Sequence, residues 1–101
     1  MSKMEKRKLV TIVTEENIEH LVVADIKRLG AHGYTSVSAS GEGSRGTRRG
    51  DWDLNKNVRI EVVCDERTAH AIAEHLMKSY YRDYAMIIYF SDVEVLRPEK
   101  F

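Results

Sequence analysis

Between Ser40 and Asn57 the chain alternates Gly41, Gly43, Gly46 and Gly50 with Arg45, Arg48 and Arg49, and these residue types suit the holding of an anion. Glycine lets the backbone adopt positive φ and turn several N–H groups toward one point, and guanidinium forks add charge and paired donors. With the Ser44 hydroxyl, this set could surround a phosphate. Gly41-Glu42-Gly43-Ser44-Arg45-Gly46 fits the formula G-x-G-x-x-G. A dinucleotide-binding fold also requires a helix directly after that formula, and Gly46 to Trp52 has no helical periodicity. No Gly-Lys-Ser or Gly-Lys-Thr occurs, so a P-loop is excluded as well. Long connections without structure of their own are uncommon in small domains and are usually functional or disordered. The segment is therefore expected to be a mobile, anion-gripping loop, the alternative being a solvated linker.

The remaining chemistry-bearing residues are dispersed. His20 and His32 fall near opposite ends of one helical segment, and His75 is five residues from His70, which misses the usual i, i+4 ligand spacing. His70 and Glu74 lie one turn apart on a polar helix face, where solvation is the expected state rather than metal binding. Glu61 and Asp65 share a side of a strand without an evident acid/base environment, and no Ser/His/acid or Cys/His arrangement is visible. Catalysis is not expected, slow nucleotide hydrolysis being its mildest form. Trp52 beside Arg45, Arg48 and Arg49 offers a platform for single-stranded nucleic acid, but Asp51 and Asp53 flank it and repel phosphates.

Composition bounds the rest. The 101 residues allow one domain with one modest core, 43% of them being hydrophobic. Sixteen Lys and Arg balance sixteen Asp and Glu, so no global field draws the chain to nucleic acid or membrane. Cys64 is single, so no intramolecular disulfide can form, and a cytoplasmic location is expected. The basic stretch from Lys3 to Lys8 precedes too short an apolar run for a secretory signal, no run is long enough to span a membrane, and Met1 to Arg7 is expected to be flexible.

Six elements and a short seventh must position the loop. Leu9 to Thr14 is a β-branched run suited to a buried strand, and Thr14 is placed to cap the helix that follows. Ile18, Leu21, Val22, Ile26 and Leu29 recur on one helical face, which Gly30 and Gly33 end. Tyr34 to Ala39 reads as a second strand, and Val58, Ile60, Val62 and Cys64 mark a third by strict alternation. Asp65 can cap a second amphipathic helix carried by Ala69, Ile72, Ala73, Leu76, Met77 and Tyr80. Tyr84 to Phe90 reads as a fully buried strand and Val93 to Leu96 as a short extra one. The result is an α+β, ferredoxin-like βαββαβ order with a short extra strand. Two helices cover one sheet face, so the other is expected to pack against further subunits in a closed ring.

Ile12 to Glu15, Gly33-Tyr34-Thr35, Gly41 to Arg45 with Arg48, and Asp83 to Tyr89 together resemble the PII-like signalling proteins associated with inorganic carbon. That group includes the regulators of cyanobacterial bicarbonate transporters and the carboxysome-associated PII proteins, and the likeness runs from Lys8 to Leu96. It implies a single PII-like domain over residues 1–101 that forms a homotrimer, with adenine nucleotides in the clefts between subunits and a ligand-responsive T-loop over residues 41–57. It further implies a nucleotide site made of Gly41, Gly43, Ser44, Arg45 and Arg48, with Thr35 and Val37 lining the cleft and the backbone of Met86, Ile87 and Ile88 reading the adenine edge. Glu15, where the first strand meets its helix, is expected to help order the T-loop.

Nitrogen-sensing PII proteins have a glycine-rich, lysine-bearing turn that grips triphosphate, where this chain has Arg82-Asp83-Tyr84-Ala85-Met86. The resemblance thus favours AMP, ADP or cyclic AMP over ATP with 2-oxoglutarate. The cyanobacterial regulators often end in a cysteine-bearing extension absent after Phe101, which tilts the expectation toward the carboxysome-associated branch, with bicarbonate as a co-ligand. The implied role is regulation of inorganic-carbon uptake or carboxysome function through a transporter or carboxysome component, without metal, nucleic acid or membrane insertion. A trimeric metal-binding protein of the CutA type shares such a fold and is the alternative, along with a weak nucleotide hydrolase.

Overall fold

Alternation of apolar residues along three of four strands and helical spacing along two helices meet in one core. The computed structural model describes residues 4–41 and 56–101. Strands β1 (Glu5–Glu15), β2 (Thr35–Ala39), β3 (Asn57–Cys64) and β4 (Met86–Val95) form an antiparallel sheet in the order β2-β3-β1-β4, joined by helices α1 (Glu19–Arg28) and α2 (Glu66–Tyr80). This is the ferredoxin-like arrangement. Val10 and Ile12 of β1 and Val58, Ile60, Val62 and Cys64 of β3 point to the helix side, where they meet Val22 and Ile26 of α1 and Ala69, Ile72 and Leu76 of α2. A strand's side chains alternate between faces, so Leu9, Val13, Val37, Val63, Ile87 and Tyr89 point the other way, to the face opposite the two helices.

Local signals set two of the helix ends. Asp65 caps α2 by accepting the Thr68 N–H at 2.8 Å, and this bond, with the Thr68 hydroxyl, holds the carboxyl below its usual range. Gly30 takes φ +116 just after α1, while the Ala31 N–H reaches Ile26 O and the Gly30 N–H reaches Lys27 O, the paired bonds of a Schellman ending.

Four expectations are corrected by long-range pairing. Thr14 does not cap a helix: β1 continues through it to Glu15, a 3-10 turn (Glu16–Ile18) follows, and α1 starts at Glu19 with no side-chain cap. Ladder bonds to β3 and β4 hold Thr14 extended, and a local cap gives way to them. The strand also starts at Glu5 rather than Leu9, because Glu5, Lys6 and Arg7 pair with Val95, Glu94 and Val93, so these three residues belong to the ladder and not to a frayed end. The same pairing absorbs the extra strand expected at Val93 to Leu96, since β4 runs unbroken to Val95. Finally, β4 is not fully buried: Met86, Ile88 and Phe90 pack on the core, but Ile87 and Tyr89 are 58% and 49% exposed.

Candidate functional site

The end of the sheet at which β1 stops gathers the stems of every connection that could serve a ligand. Thr14, only 2% exposed, donates its hydroxyl to Ala85 O at 2.8 Å, and the Ala85 N–H donates to Glu15 Oε2 at 2.7 Å. Both polar backbone groups of Ala85, the residue before β4, are thereby bound by consecutive β1 side chains. One residue further, the Glu16 N–H donates to Lys56 O at 3.0 Å, which fastens the approach to β3 at the same point. On the β2 side the Ser36 hydroxyl donates to Glu19 Oε2 at 2.8 Å and ties that strand to the first turn of α1.

The expected nucleotide residues divide into groups on this frame. Thr35 and Val37 lie on β2, one edge of the sheet, and Gly41 follows in an exposed position with open space where a Cβ would stand. Met86, Ile87 and Ile88 open β4, the opposite edge. Gly43, Ser44, Arg45 and Arg48 lie outside the described residues. The register aligns Ile87 with Val13, Val13 with Arg59 and Arg59 with Val37, so Ile87 and Val37 occupy one row. Three strand spacings place them about 14 Å apart within a protomer. The two sets are therefore not brought together by one chain. Among the described residues, each edge strand also has one rim of backbone N–H and C=O groups that no further strand pairs with, which is the feature needed for reading a ligand without polar side chains.

Sequence reasoning placed Glu15 near the loop but missed its hold on Ala85. No pattern signals a contact between residues so far apart in the chain, and Thr14 beside a helix start has a strong local reading as a cap.

A second polar cluster joins the two helices. Asp25 accepts the Tyr80 hydroxyl at 2.6 Å and faces His75 Nε2 at 3.2 Å and Arg28 Nη2 at 3.4 Å. Burial is the largest influence on Asp25 and pushes its carboxyl upward, but the hydrogen bonds from Tyr80, His75 and Arg28 together outweigh it and hold the group below the usual range. Burial, then the Asp25 carboxylate, push the Tyr80 phenol up to about 12. The cluster is a helix-to-helix tie. The Cys64 thiol is buried and pushed up to about 11 by that burial and by Asp65, so it stays protonated and a poor nucleophile at neutral pH. His70 meets Glu66 at 3.7 Å and the Phe90 ring edge-on, and among the described residues no group of three or more His, Cys, Asp or Glu is placed to hold a metal ion. Among the same residues no helix is long and apolar enough to cross a membrane.

Comparison with known proteins agrees with this frame. A PII-like signalling protein from Thermus thermophilus is 44% identical, with 98% of each chain covered and a TM-score of 0.84. The protein CPII from Thiomonas intermedia bound to ADP and bicarbonate is 24% identical over 100% of this chain and 99% of its own, with a TM-score of 0.85. The same protein bound to ADP, AMP and acetate is 23% identical over 98% and 97%, also at 0.85; these two likenesses concern the fold. Residues 7–100 match the family described as Nitrogen regulatory protein P-II, and with nearly the whole chain inside that match, this protein belongs to the P-II family.

Proposed function

We propose that this chain is a PII-like signalling protein, not an enzyme, that binds AMP or ADP in clefts between protomers and passes the occupancy to a partner through the connection between β2 and β3. The observation that carries this reading is the separation of the two expected halves of the site on opposite edges of one sheet. An assembly that sets the β2 edge of one protomer beside the β4 edge of the next would bring Thr35 and Val37 to Met86, Ile87 and Ile88. Repeating that head-to-tail contact around an axis closes a ring, and the P-II membership supports three copies. The apolar side chains on the face opposite the helices would give such a ring its interior.

Gly43, Ser44, Arg45 and Arg48 would hold the phosphate, since glycine amides and guanidinium forks are suited to an oxyanion. Ligand binding can shift the loop's equilibrium only by its differential affinity for the loop's states. The ADP, AMP and bicarbonate in the Thiomonas structures support adenine nucleotides here, with cyclic AMP as a further candidate and bicarbonate as co-ligand. Regulation of inorganic-carbon uptake or of a carboxysome component, in the cytoplasm, is the role we assign on that basis.

The test is calorimetric titration of AMP, ADP, ATP and cyclic AMP, each with and without bicarbonate, on the wild type and on Arg45→Ala. We expect AMP and ADP to bind, Arg45→Ala to weaken both by about tenfold or more, as loss of a charge-assisted bond does, and the assembly to keep its mass by light scattering. Unchanged affinity in Arg45→Ala would take the β2–β3 connection out of the site. A protein that is a lone protomer at all concentrations would end the inter-protomer reading.

A further inference from the structure

Ala85 has no polar side chain and sits in no regular element, yet its N–H and its C=O are each taken by a different β1 side chain. The bond to Glu15 runs to a carboxyl oxygen and is short, 2.7 Å, at the tight end for an N–H···O bond. The residue after Ala85 is Met86, whose ladder partner is Thr14, so the clamp acts one step before the strand becomes regular. It sets the direction in which the first β4 peptides face the free edge. Met86 and Ile88 turn their side chains into the core, and Ile87 is apolar, so any discrimination among bases here must come from backbone groups.

We infer that Glu15 is a positioning residue for base selectivity: through the Ala85 amide it fixes the backbone of Met86 to Ile88 so that this edge accepts adenine and rejects hypoxanthine. The inference rests on the nucleotide-binding reading above. Adenine presents an N6 donor beside the N1 acceptor, whereas hypoxanthine presents an O6 acceptor beside an N1–H donor. A rigid backbone donor–acceptor pair matched to the first leaves buried groups unpaired against the second. An edge free to tilt would lose that distinction first. Glu15 also stands beside the Glu16–Lys56 bond at the stem of the β2–β3 connection, so the base-reading edge and that connection share one anchor.

The test compares AMP with inosine monophosphate by calorimetry on the wild type, Glu15→Gln and Glu15→Met. Gln keeps an oxygen that can accept the Ala85 N–H, and Met keeps the length without an acceptor. We expect Glu15→Met to bind AMP about tenfold more weakly and to lose most of the AMP-to-inosine-monophosphate preference. Glu15→Gln should hold both close to wild type, a rescue that a role in general stability alone would not give. Ala85 amide exchange in the nucleotide-free wild type supplies an independent measure if Glu15→Met does not fold: strong protection supports the clamp, and exchange at the rate of an open amide overturns it. Wild-type preference in folded Glu15→Met overturns the inference and leaves the proposed function standing, as does a loss in Glu15→Gln as deep as in Glu15→Met. A wild type that takes up no adenine nucleotide overturns the proposed function and this inference with it.

Discussion

Both faces of the sheet carry large apolar side chains, and what becomes of those side chains differs. On the helix side Val10, Ile12, Ile60 and Val62 are fully buried among Val22, Ile26, Ile72 and Leu76. On the other side Ile87, Tyr89 and Val37, no less apolar, are about half exposed, with an Arg59–Glu61 pair among them at 3.5 Å. The first face already has its hydrophobic contribution within the protomer; the second gains it only when something covers it. On the proposed reading, folding and assembly fall to different faces of one sheet, and the proposed site lies where the second face meets the sheet's edges.

That contrast can be broken from either side. The largest effect is expected from Ile12→Ala, which empties volume at the centre of the covered face and should cost about 2–5 kcal/mol of protomer stability, read by denaturant unfolding with circular dichroism. Substituting Ile87→Asp together with Tyr89→Asp should instead abolish assembly by light scattering and leave the protomer's far-ultraviolet spectrum unchanged, because neither side chain belongs to the core. A variant that stays fully assembled would show that the exposed face is not an interface.

Smaller effects sharpen the account of the helix layer. Asp65→Ala removes the α2 cap and should cost about 1 kcal/mol, with the Thr68 amide exchanging faster. The smallest effect concerns acid. The folded-state carboxyl of Asp25 lies below its ordinary value of 3.8, so its stabilisation is present above that value and is lost as pH falls through the lower folded one. Stability of wild type and Asp25→Asn measured from pH 6 downward should therefore converge below about pH 4. A constant gap across that range would mean that the tie to Tyr80, His75 and Arg28 does not depend on ionisation.

Elements with a strong local period were legible in the chain alone. The alternation from Val58 to Cys64 became β3, the spacing of Ala69, Ile72, Leu76 and Tyr80 became the buried stripe of α2, and Asp65 and Gly30 act at the helix ends where they were expected. In each case the cause lies within a few residues. The site was legible as chemistry more than as geometry: Thr35, Val37, Met86, Ile87 and Ile88 fall on strands as expected, but nothing in their spacing told which edge each would occupy. Thr14 illustrates the limit. Its residue type suits a cap and a strand equally, and only the ladder partners Val58 and Met86 decide between them.

By itself, the order of amino acids determined the succession of strands and helices and the presence of a glycine- and arginine-rich segment, because periodicity, capping and turn chemistry act over short stretches of chain. Tertiary structure alone decided that Glu15 and Thr14 seize Ala85, that β4 absorbs the last apolar run, and that Thr35 and Val37 stand on one rim of the sheet with Met86, Ile87 and Ile88 on the other. These outcomes depend on which distant strands pair and in what register, a competition among long-range hydrogen bonds and buried surfaces that no local pattern records.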